Sequence, residues 1–418
     1  MEKLLVRGGT ALKGQVEISG SKNAILPIMA ASLMSSGEVV LNGVPELEDI
    51  SVMSEALTIL GAKVKRENNV LIIDGRLVDS CELPEYVSRR MRASNLVMGA
   101  LLGRFKHTRV AYPGGCAIGS RPMDLHIKGF RNMGYEITEE HGLMVGKAVC
   151  AGGKETMLDV PSVGATENIM MAAAMTPGTT IIRNAAREPE IVDLQNFLNR
   201  MGACIKGAGL DTIRIEGVET LGSVEHSVIP DRIEAGTFMV AAAISRGDVW
   251  IENIVSEHLQ PLVAKLNEVG VEIVPWSGGI RVVGKQNYCP TDIKTMPYPG
   301  FPTDMQAQMM TLLATIEGTS VIVETIFENR FMHVPELRRM GADIKVEGRV
   351  AIIKGNHNWE GACVESTDLR AGAALILAGL YARGETHIGK LEHIDRGYEK
   401  IHEKLKNIGA DVKRISVS

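Results

Sequence analysis

The residues best suited to chemistry lie in one short stretch, Tyr112–His126, whose sequence is YPGGCAIGSRPMDLH. Its paired glycines permit unusual backbone angles, and its two prolines interrupt helices and central strands. We therefore predict a long loop, and long loops in compact domains are often functional. Cys116 has Arg121 five residues later, and a nearby cation favours the thiolate. Local sequence alone leaves two interpretations open, a reactive cysteine or a surface loop with an incidental thiol.

Positive charges recur where apolar helices are predicted to begin. Lys22, Arg92 and Arg370 each stand at or just before such a run, and the first amides of a helix also favour an anion. Arginine grips carboxylates and phosphates through two parallel hydrogen bonds. Singly, each cation is most simply a solvated surface charge, but their recurrence favours a common anion site.

Two further helix starts have polar groups with two possible roles. Asp304, in FPTDMQ, could accept a proton as a general base or could simply cap its helix. The amides of Ser162, Val163 and Gly164, in PSVGATEN, could hold phosphate oxygens or belong to an ordinary helix start.

The bulk composition excludes several classes of protein. The net charge is −5 with a pI near 6.1, which does not favour nucleic-acid binding. The six cysteines are scattered without metal-ligand spacing, so we expect no metal site. The apolar runs are shorter than a membrane span requires. We expect no signal peptide, reduced thiols and a cytoplasmic protein without a membrane or an obligate protein partner.

One structural unit recurs six times along the chain. Each copy has an apolar helix, a β-rich run, an amphipathic helix and a hairpin introduced by a glycine. These marker glycines recur at intervals of 68 to 73 residues, at positions 61, 134, 202, 270, 341 and 409. Apolar helices beside half-exposed strands predict sheets wrapped around buried helices. We thus predict an α/β fold of two lobes, each an inside-out α/β barrel of three repeats.

The predicted lobes are residues 21–229, which include the cysteine loop, and residues 1–20 with 230–418. The active site is expected in the cleft between them. The last repeat ends after one strand, so its partner strand is expected to come from the N-terminal KLLVRGG.

These features together resemble the enolpyruvyl transferases, over essentially the full chain. The resemblance rests on the six repeats and on the motifs SGSKNAILP, PGGCAIGSRPMDLH, SVGATEN, PGFPTDMQ, IFENRF and DLRAG. Within the family, the cysteine loop and DLRAG match the branch that acts on UDP-N-acetylglucosamine. The resemblance implies transfer of the enolpyruvyl group of phosphoenolpyruvate to the 3′-hydroxyl of that nucleotide sugar, with release of phosphate. It implies addition then elimination, without cofactor or metal, at the start of peptidoglycan synthesis and hence in cell-wall biogenesis and cell division.

The resemblance also implies residue roles. Cys116 is expected to be the general acid, to form a covalent adduct and to be the target of fosfomycin, and Asp304 to be the base. Lys22 and Arg396 are expected to assist catalysis. The residues expected to bind phosphoenolpyruvate are Lys22, Asn23, Arg121, Arg370 and Arg396. Those expected to bind UDP-N-acetylglucosamine are Asn23, Arg92, Arg121, Pro122, Met123, Asp124, Leu125, Ser162, Val163, Gly164, Asp304, Ile326 and Arg330. Val160 stands where relatives often have a basic residue, so a diphosphate contact there would involve only its backbone.

Three alternatives remain. The same fold could act on shikimate 3-phosphate, or could bind a nucleotide sugar as a non-catalytic sensor. Cys116 and His126 could instead form the nucleophile and base of a hydrolase, although a hydrogen-bonded structural role is the simpler expectation for His126.

Overall fold

The computed structural model describes residues 2–112, 114, 118–119 and 123–416. It divides the chain into two compact units. The first unit, called the Asp304 unit below, comprises Met1–Ser19, Ala117–Ser120 and Pro230–Ser418. The second, called the Lys22 unit, comprises Gly20–Cys116 and Arg121–Ile229. Cys116, Arg121 and Pro122 lie outside the described residues.

Each unit has three four-stranded sheets of identical topology among the described residues. The first two strands run parallel, and the third and fourth each join antiparallel. In the Lys22 unit the spatial orders are Val224–Ser227, Glu38–Asn42, Val70–Asp74, Lys63–Glu67; Glu82–Leu83, His107–Ala111, Leu143–Ala148, Tyr135–Glu140; and Glu155–Met157, Thr179–Arg183, Thr212–Glu216, Cys204–Lys206. In the Asp304 unit they are Lys13–Glu17, Asp248–Glu252, Gly279–Val283, Glu272–Trp276; Ile293–Lys294, Gly318–Val323, Val350–Gly355, Asp343–Glu347; and Cys363–Glu365, Glu385–Gly389, Glu2–Arg7, Asp411–Ser416.

A helix buried on nearly every side belongs to each of the six repeats. These helices are Lys22–Ser32, Val97–Phe105 and Val163–Ala174 in the Lys22 unit, and Arg232–Ile244, Gln306–Ala314 and Leu369–Tyr381 in the Asp304 unit. Their alanine, methionine and leucine side chains form the centre of each unit's core, against the inner faces of the sheets. Sheets outside and helices inside confirm the predicted inside-out α/β architecture.

The outer helices end at the marker glycines. They are Glu48–Ile59, Asp124–Asn132, Pro189–Arg200, Gln260–Val269, Val334–Arg339 and Ile401–Asn407. All six glycines have a φ between 86° and 110°, a left-handed conformation that a side chain disfavours. The recurring glycine in the sequence is therefore the residue that reverses the chain from helix to hairpin. Shorter helical segments are Gly75–Leu77, Glu85–Arg90, Arg92–Leu96, Ser256–Leu259, Thr303–Met305 and Glu392–Asp395.

The N-terminal strand completes the last repeat. Glu2–Arg7 pairs antiparallel with Asp411–Ser416 over six residues, which confirms the predicted contribution of the N-terminal segment. In the other unit, Val224–Ser227 lies parallel to Glu38–Asn42, so the last strand of that unit joins the sheet of its first repeat. Within the described residues, no helix combines the length and the apolarity that a membrane span needs.

Candidate active site

The N-terminal ends of the buried helices carry the candidate site residues. Asp304 lies in the helical turn Thr303–Met305, which leads into Gln306–Ala314. Arg370 is the second residue of helix Leu369–Tyr381. Because the sheets cover the sides of these apolar helices, their ends are the places where a polar group can join the structure without entering the core.

Asp304 is shared by two buried arginines of its own unit. Its Oδ1 accepts a hydrogen bond from Arg330 Nη2 and its Oδ2 one from Arg370 Nη2, each at 2.9 Å. The arginine side chains are 3% and 4% exposed, whereas that of Asp304 is 26% exposed. The carboxylate is thus fixed between two guanidinium groups and still reaches solvent, and it is not a helix cap through its side chain.

Arg370 has hydrogen-bonding capacity left over. Asp368 accepts from the backbone amides of Arg370 and Ala371 and so caps the helix. Arg370 Nε and Nη1 are buried, and no hydrogen-bond acceptor for them exists among the described residues. Burial is the largest single influence and lowers the pKa of this arginine, but Asp304, Tyr398 and Asp231 together outweigh it, so the net shift is upward. A permanently charged guanidinium with two unused donors is suited to an anionic ligand.

A buried hydrogen-bond network lies beneath these charges. Gln308 Nε2 donates to the backbone carbonyl of Asp304 at 2.9 Å and lies 3.3 Å from the hydroxyl of Tyr398. That hydroxyl is 2.9 Å from Thr237 Oγ1. The Arg370 guanidinium lies over the Tyr398 ring, 5.4 Å from its centroid. Burial raises the pKa of Tyr398, so the phenol is neutral and can donate or accept a hydrogen bond.

Arg330 also joins a second acidic residue and a histidine. Its Nη1 lies 3.8 Å from Asp368 Oδ1. The neighbouring His333 is buried, and burial, helped by Arg330 and opposed by Asp368, lowers its pKa to about 4. His333 is therefore neutral at physiological pH and adds no charge to the cluster.

Two other predicted residues of this unit occupy partly buried positions. Ile326 donates its backbone N–H to Glu324 Oε1 at 2.8 Å, and Arg396 directly follows the short helix Glu392–Asp395. Ile118 of the cysteine loop accepts a hydrogen bond from the Asn329 amide at 2.9 Å, within the same unit.

In the Lys22 unit, the predicted cation is also paired. Lys22 opens the first buried helix, and its Nζ lies 2.7 Å from Asp49 Oδ2 of an outer helix. The side chains are 10% and 4% exposed. Asn23 follows in the same helical turn and is partly buried. The ammonium group is thus oriented by a buried ion pair, whose loss would be costly.

His126 is held by an amide and not by an acid. Asn168 Oδ1 accepts from the Gly99 amide at 2.8 Å, so its Nδ2 donates to His126 Nδ1 at 3.0 Å. Burial, followed by the charge of Arg92, lowers the pKa of this histidine to about 4. His126 is therefore hydrogen-bonded, as predicted, and its buried ring is neutral at physiological pH.

The predicted phosphate-binding segment forms a capped helix start. Ser162 is the N-cap of Val163–Ala174, and its Oγ accepts from the Ala165 amide at 3.4 Å. Gly164 lies beside the His126 ring, since a Cβ on this glycine would be 3.3 Å from His126 Cε1. The segment is therefore close to His126, whose pKa is also lowered by the charge of Arg92.

After Gly119, the next described residue of the cysteine loop is Met123. Met123 is buried, with its sulfur 3.2 Å from Asn95 Nδ2, and precedes helix Asp124–Asn132. Asp124 is exposed and Leu125 partly buried. Val160 is 58% exposed.

Comparison of the sequence with known proteins identifies its family. The family model described as EPSP synthase (3-phosphoshikimate 1-carboxyvinyltransferase) matches residues 6–405. A protein of Caldanaerobacter subterraneus called UDP-N-acetylglucosamine 1-carboxyvinyltransferase 1 is 58% identical over 99% of each chain. The chain is an enolpyruvyl transferase. A Carboxydothermus hydrogenoformans protein called UDP-N-acetylglucosamine 1-carboxyvinyltransferase 2 is 55% identical over the full length of both chains.

Solved structures agree on the fold of this enolpyruvyl transferase. The enolpyruvyl transferase NikO from Streptomyces tendae has a TM-score of 0.90 at 26% identity, with 100% of this chain and 99% of that one covered. EPSP synthase from Acinetobacter baumannii has a TM-score of 0.76 at 19% identity over the whole of both chains.

Sequence reasoning missed the residues that hold the predicted site residues in place. They are Asp49, Asn168, Thr237, Gln308, Glu324 and Tyr398. The only sequence signal for these residues was a polar residue within an apolar run, such as Gln308 in MQAQMMTLLATI. Their partners are distant in sequence, so no local pattern reveals the contacts.

Proposed function

We propose that this enolpyruvyl transferase transfers the enolpyruvyl group of phosphoenolpyruvate to the 3′-hydroxyl of UDP-N-acetylglucosamine and releases phosphate. The observation that carries the proposal is the 55–58% identity, over nearly full length, to proteins with that named activity. The paired carboxylate and the buried guanidinium donors of the Asp304 unit support the chemistry.

Arg370 is the residue best suited to the anionic donor substrate. Phosphoenolpyruvate carries a carboxylate and a phosphate, and Arg370 Nε and Nη1 are unused donors in a buried position. An anion there would satisfy both donors by charge-assisted hydrogen bonds. The other residues proposed to bind phosphoenolpyruvate are Lys22, Asn23, Arg121 and Arg396.

Asp304 is the proposed base. Its carboxylate is partly exposed and rigidly held by Arg330 and Arg370, so it can receive the proton of the sugar hydroxyl without first moving. The hydroxyl oxygen then adds to the substituted carbon of phosphoenolpyruvate, while the Cys116 thiol donates a proton to its methylene carbon. Loss of a proton from the resulting methyl group and departure of phosphate restore the double bond in the product.

The nucleotide sugar is proposed to use the helix start Ser162–Gly164. The first-turn amides of a helix favour phosphate oxygens, and Arg92 supplies a permanent charge. The other proposed contacts to this substrate are Pro122, Met123, Asp124, Leu125, Ile326 and Arg330. The reaction would belong to peptidoglycan precursor synthesis in the cytoplasm and hence support cell-wall growth and division. The proposal involves no cofactor.

The decisive experiment measures phosphate release from phosphoenolpyruvate with each acceptor separately. Release that depends on UDP-N-acetylglucosamine, with a product heavier by one enolpyruvyl group in mass spectrometry, is the expected result. Release only with shikimate 3-phosphate would overturn the acceptor, and release with neither would favour a non-catalytic sensor.

The role of Cys116 is tested by covalent labelling with fosfomycin. We expect one adduct on the wild-type chain, none on Cys116→Ser, and an unchanged adduct on the control Cys150→Ser, which removes an exposed thiol. An adduct that persists in Cys116→Ser would assign the reactive thiol elsewhere.

A further inference from the structure

The buried side chain of Glu324 joins two parts of the proposed site. It follows strand Gly318–Val323 and is 1% exposed. Its Oε2 accepts from Thr303 Oγ1 at 3.0 Å. Its Oε1 accepts from the backbone amides of Ile326 and Phe327, at 2.8 and 3.1 Å. One buried carboxyl group thus receives three hydrogen bonds, and those to an ionised carboxylate would be of the stronger, charge-assisted kind.

The two ends of this connection lead to residues with proposed roles. Thr303 directly precedes Asp304, and its carbonyl also accepts from Arg330 Nη2 at 3.3 Å. Ile326 is a proposed sugar contact, and the Phe327 ring lies 5.8 Å from the Arg330 guanidinium. Contacts therefore run in a closed ring, from Glu324 through Thr303 and Asp304 to Arg330, and back through Phe327.

We propose that Glu324 is a positioning residue that fixes Asp304 and the Ile326–Phe327 turn relative to each other. The inference rests on the proposed function, because it concerns the same site. Glu324 makes no contact with the reacting atoms in this proposal. Its effect is geometric, because one rigid group keeps Asp304 and Ile326 at a fixed distance from each other. Small displacements of a reacting group lower the reaction rate strongly.

The first test compares variants at the Thr303 end. Thr303→Val removes the hydroxyl that Glu324 accepts from, whereas Thr303→Ser keeps it. We expect Thr303→Val to lower kcat by up to roughly tenfold, consistent with the loss of one hydrogen bond, with KM for UDP-N-acetylglucosamine unchanged. Thr303→Ser should behave like the wild type. Equal kcat values for the two variants would overturn the inference.

The second test uses Glu324 itself. We expect Glu324→Ala to lower kcat by about 100-fold and to raise KM for the nucleotide sugar. Glu324→Gln keeps the size and one acceptor oxygen for the Ile326 and Phe327 amides, and its amide nitrogen can donate to Thr303 Oγ1, so it should recover most of both. If Gln were no better than Ala while both fold, shape and hydrogen bonding would not be the cause, and the inference would fail.

A third measurement does not depend on turnover. Amide hydrogen exchange at Ile326 and Phe327 should accelerate in Glu324→Ala, since both amides lose their acceptor. The Thr325 amide, which donates to Thr295 Oγ1 at 2.9 Å, is the internal control and should be unchanged. Unchanged exchange at Ile326 and Phe327 would overturn the positioning role even if activity fell. An inactive wild type would overturn the proposed function instead, and the exchange result would still decide the role of Glu324.

Discussion

The Asp304 unit and the Lys22 unit have the same plan of sheets and buried helices but satisfy their charges differently. In the first, one partly exposed carboxylate lies between two buried guanidinium groups. In the second, a buried ammonium pairs with Asp49 of an outer helix, and His126 is held by the neutral amide of Asn168. The comparison teaches that the same plan of sheets and helices can present a partly exposed carboxylate in one unit and a buried ammonium in the other, depending on the residues at the helix starts and on their partners elsewhere in the unit.

The largest expected effect concerns the carboxylate that distinguishes the Asp304 unit. Asp304→Asn keeps the shape but cannot accept the hydroxyl proton, so we expect kcat to fall by about 100-fold or more. Binding of UDP-N-acetylglucosamine, measured by calorimetry, should persist. The matched control is Asp343→Asn on an exposed strand position, which should leave kcat unchanged. Unchanged turnover in Asp304→Asn would remove this residue from the mechanism and with it the contrast between the units.

The second prediction tests the arginine that fixes this carboxylate. Arg330→Gln removes a buried charge beside Asp304 and Asp368, and breaking such a cluster costs about 3 kcal/mol of unfolding free energy. Arg349→Gln breaks a half-exposed pair with Glu328 and should cost at most about 1 kcal/mol. Urea denaturation measures both, and equal losses would mean that Arg330 contributes no more than a surface charge.

The third prediction concerns acid sensitivity in the Lys22 unit. The pKa of His126 is about 4 in the folded chain against 6.5 as a free side chain, so the unfolded state binds the proton more readily. The stability that the neutral histidine contributes is fully present above pH 6.5 and is lost as the pH falls toward 4. This loss lowers the free energy of unfolding by about 3 kcal/mol.

Urea denaturation between pH 7 and pH 4 should therefore show a shallower loss of stability in His126→Gln than in the wild type. The exposed His141→Gln is the control and should follow the wild-type profile. If His126→Gln lost stability as steeply as the wild type, the source of the acid sensitivity would have to be sought in another group, such as His333 of the other unit.

The smallest expected effect lies at the proposed phosphate-binding helix start. In Gly164→Ala the new Cβ would lie 3.3 Å from His126 Cε1, so the ring or the helix start must shift by a few tenths of an ångström. We expect KM for the nucleotide sugar to rise by roughly threefold with kcat unchanged. Gly152→Ala controls for a general effect of substitution, because Gly152 has no positive φ and a Cβ there would lie 3.9 Å from the nearest atom, Pro177 O. A KM equal to the wild type's would argue against this segment as a phosphate site.

The sequence was enough to predict the fold in some detail. Regular glycine spacing, six apolar runs and alternating strands require a repeated unit, because a helix that is apolar all round must be covered and a glycine with positive φ is needed to end each outer helix. The N-terminal strand followed from counting strands in the last repeat. The positions of Lys22, Asp304 and Arg370 at helix starts could also be predicted, since they flank these runs directly.

Only the tertiary structure decided how those residues are held. Asp304 meets Arg330 and Arg370 across 26 and 66 residues of sequence, and Lys22 meets Asp49 on a different helix. Such pairs form because the fold brings certain helix ends together. The spacing of residues along the sequence does not predict which ends these are. The sequence therefore determined which chemical groups are present and at which positions of each repeat they lie. Packing of the buried helices determined which charges neutralise one another and which donors of Arg370 stay available, because burial makes every polar group depend on its nearest neighbours.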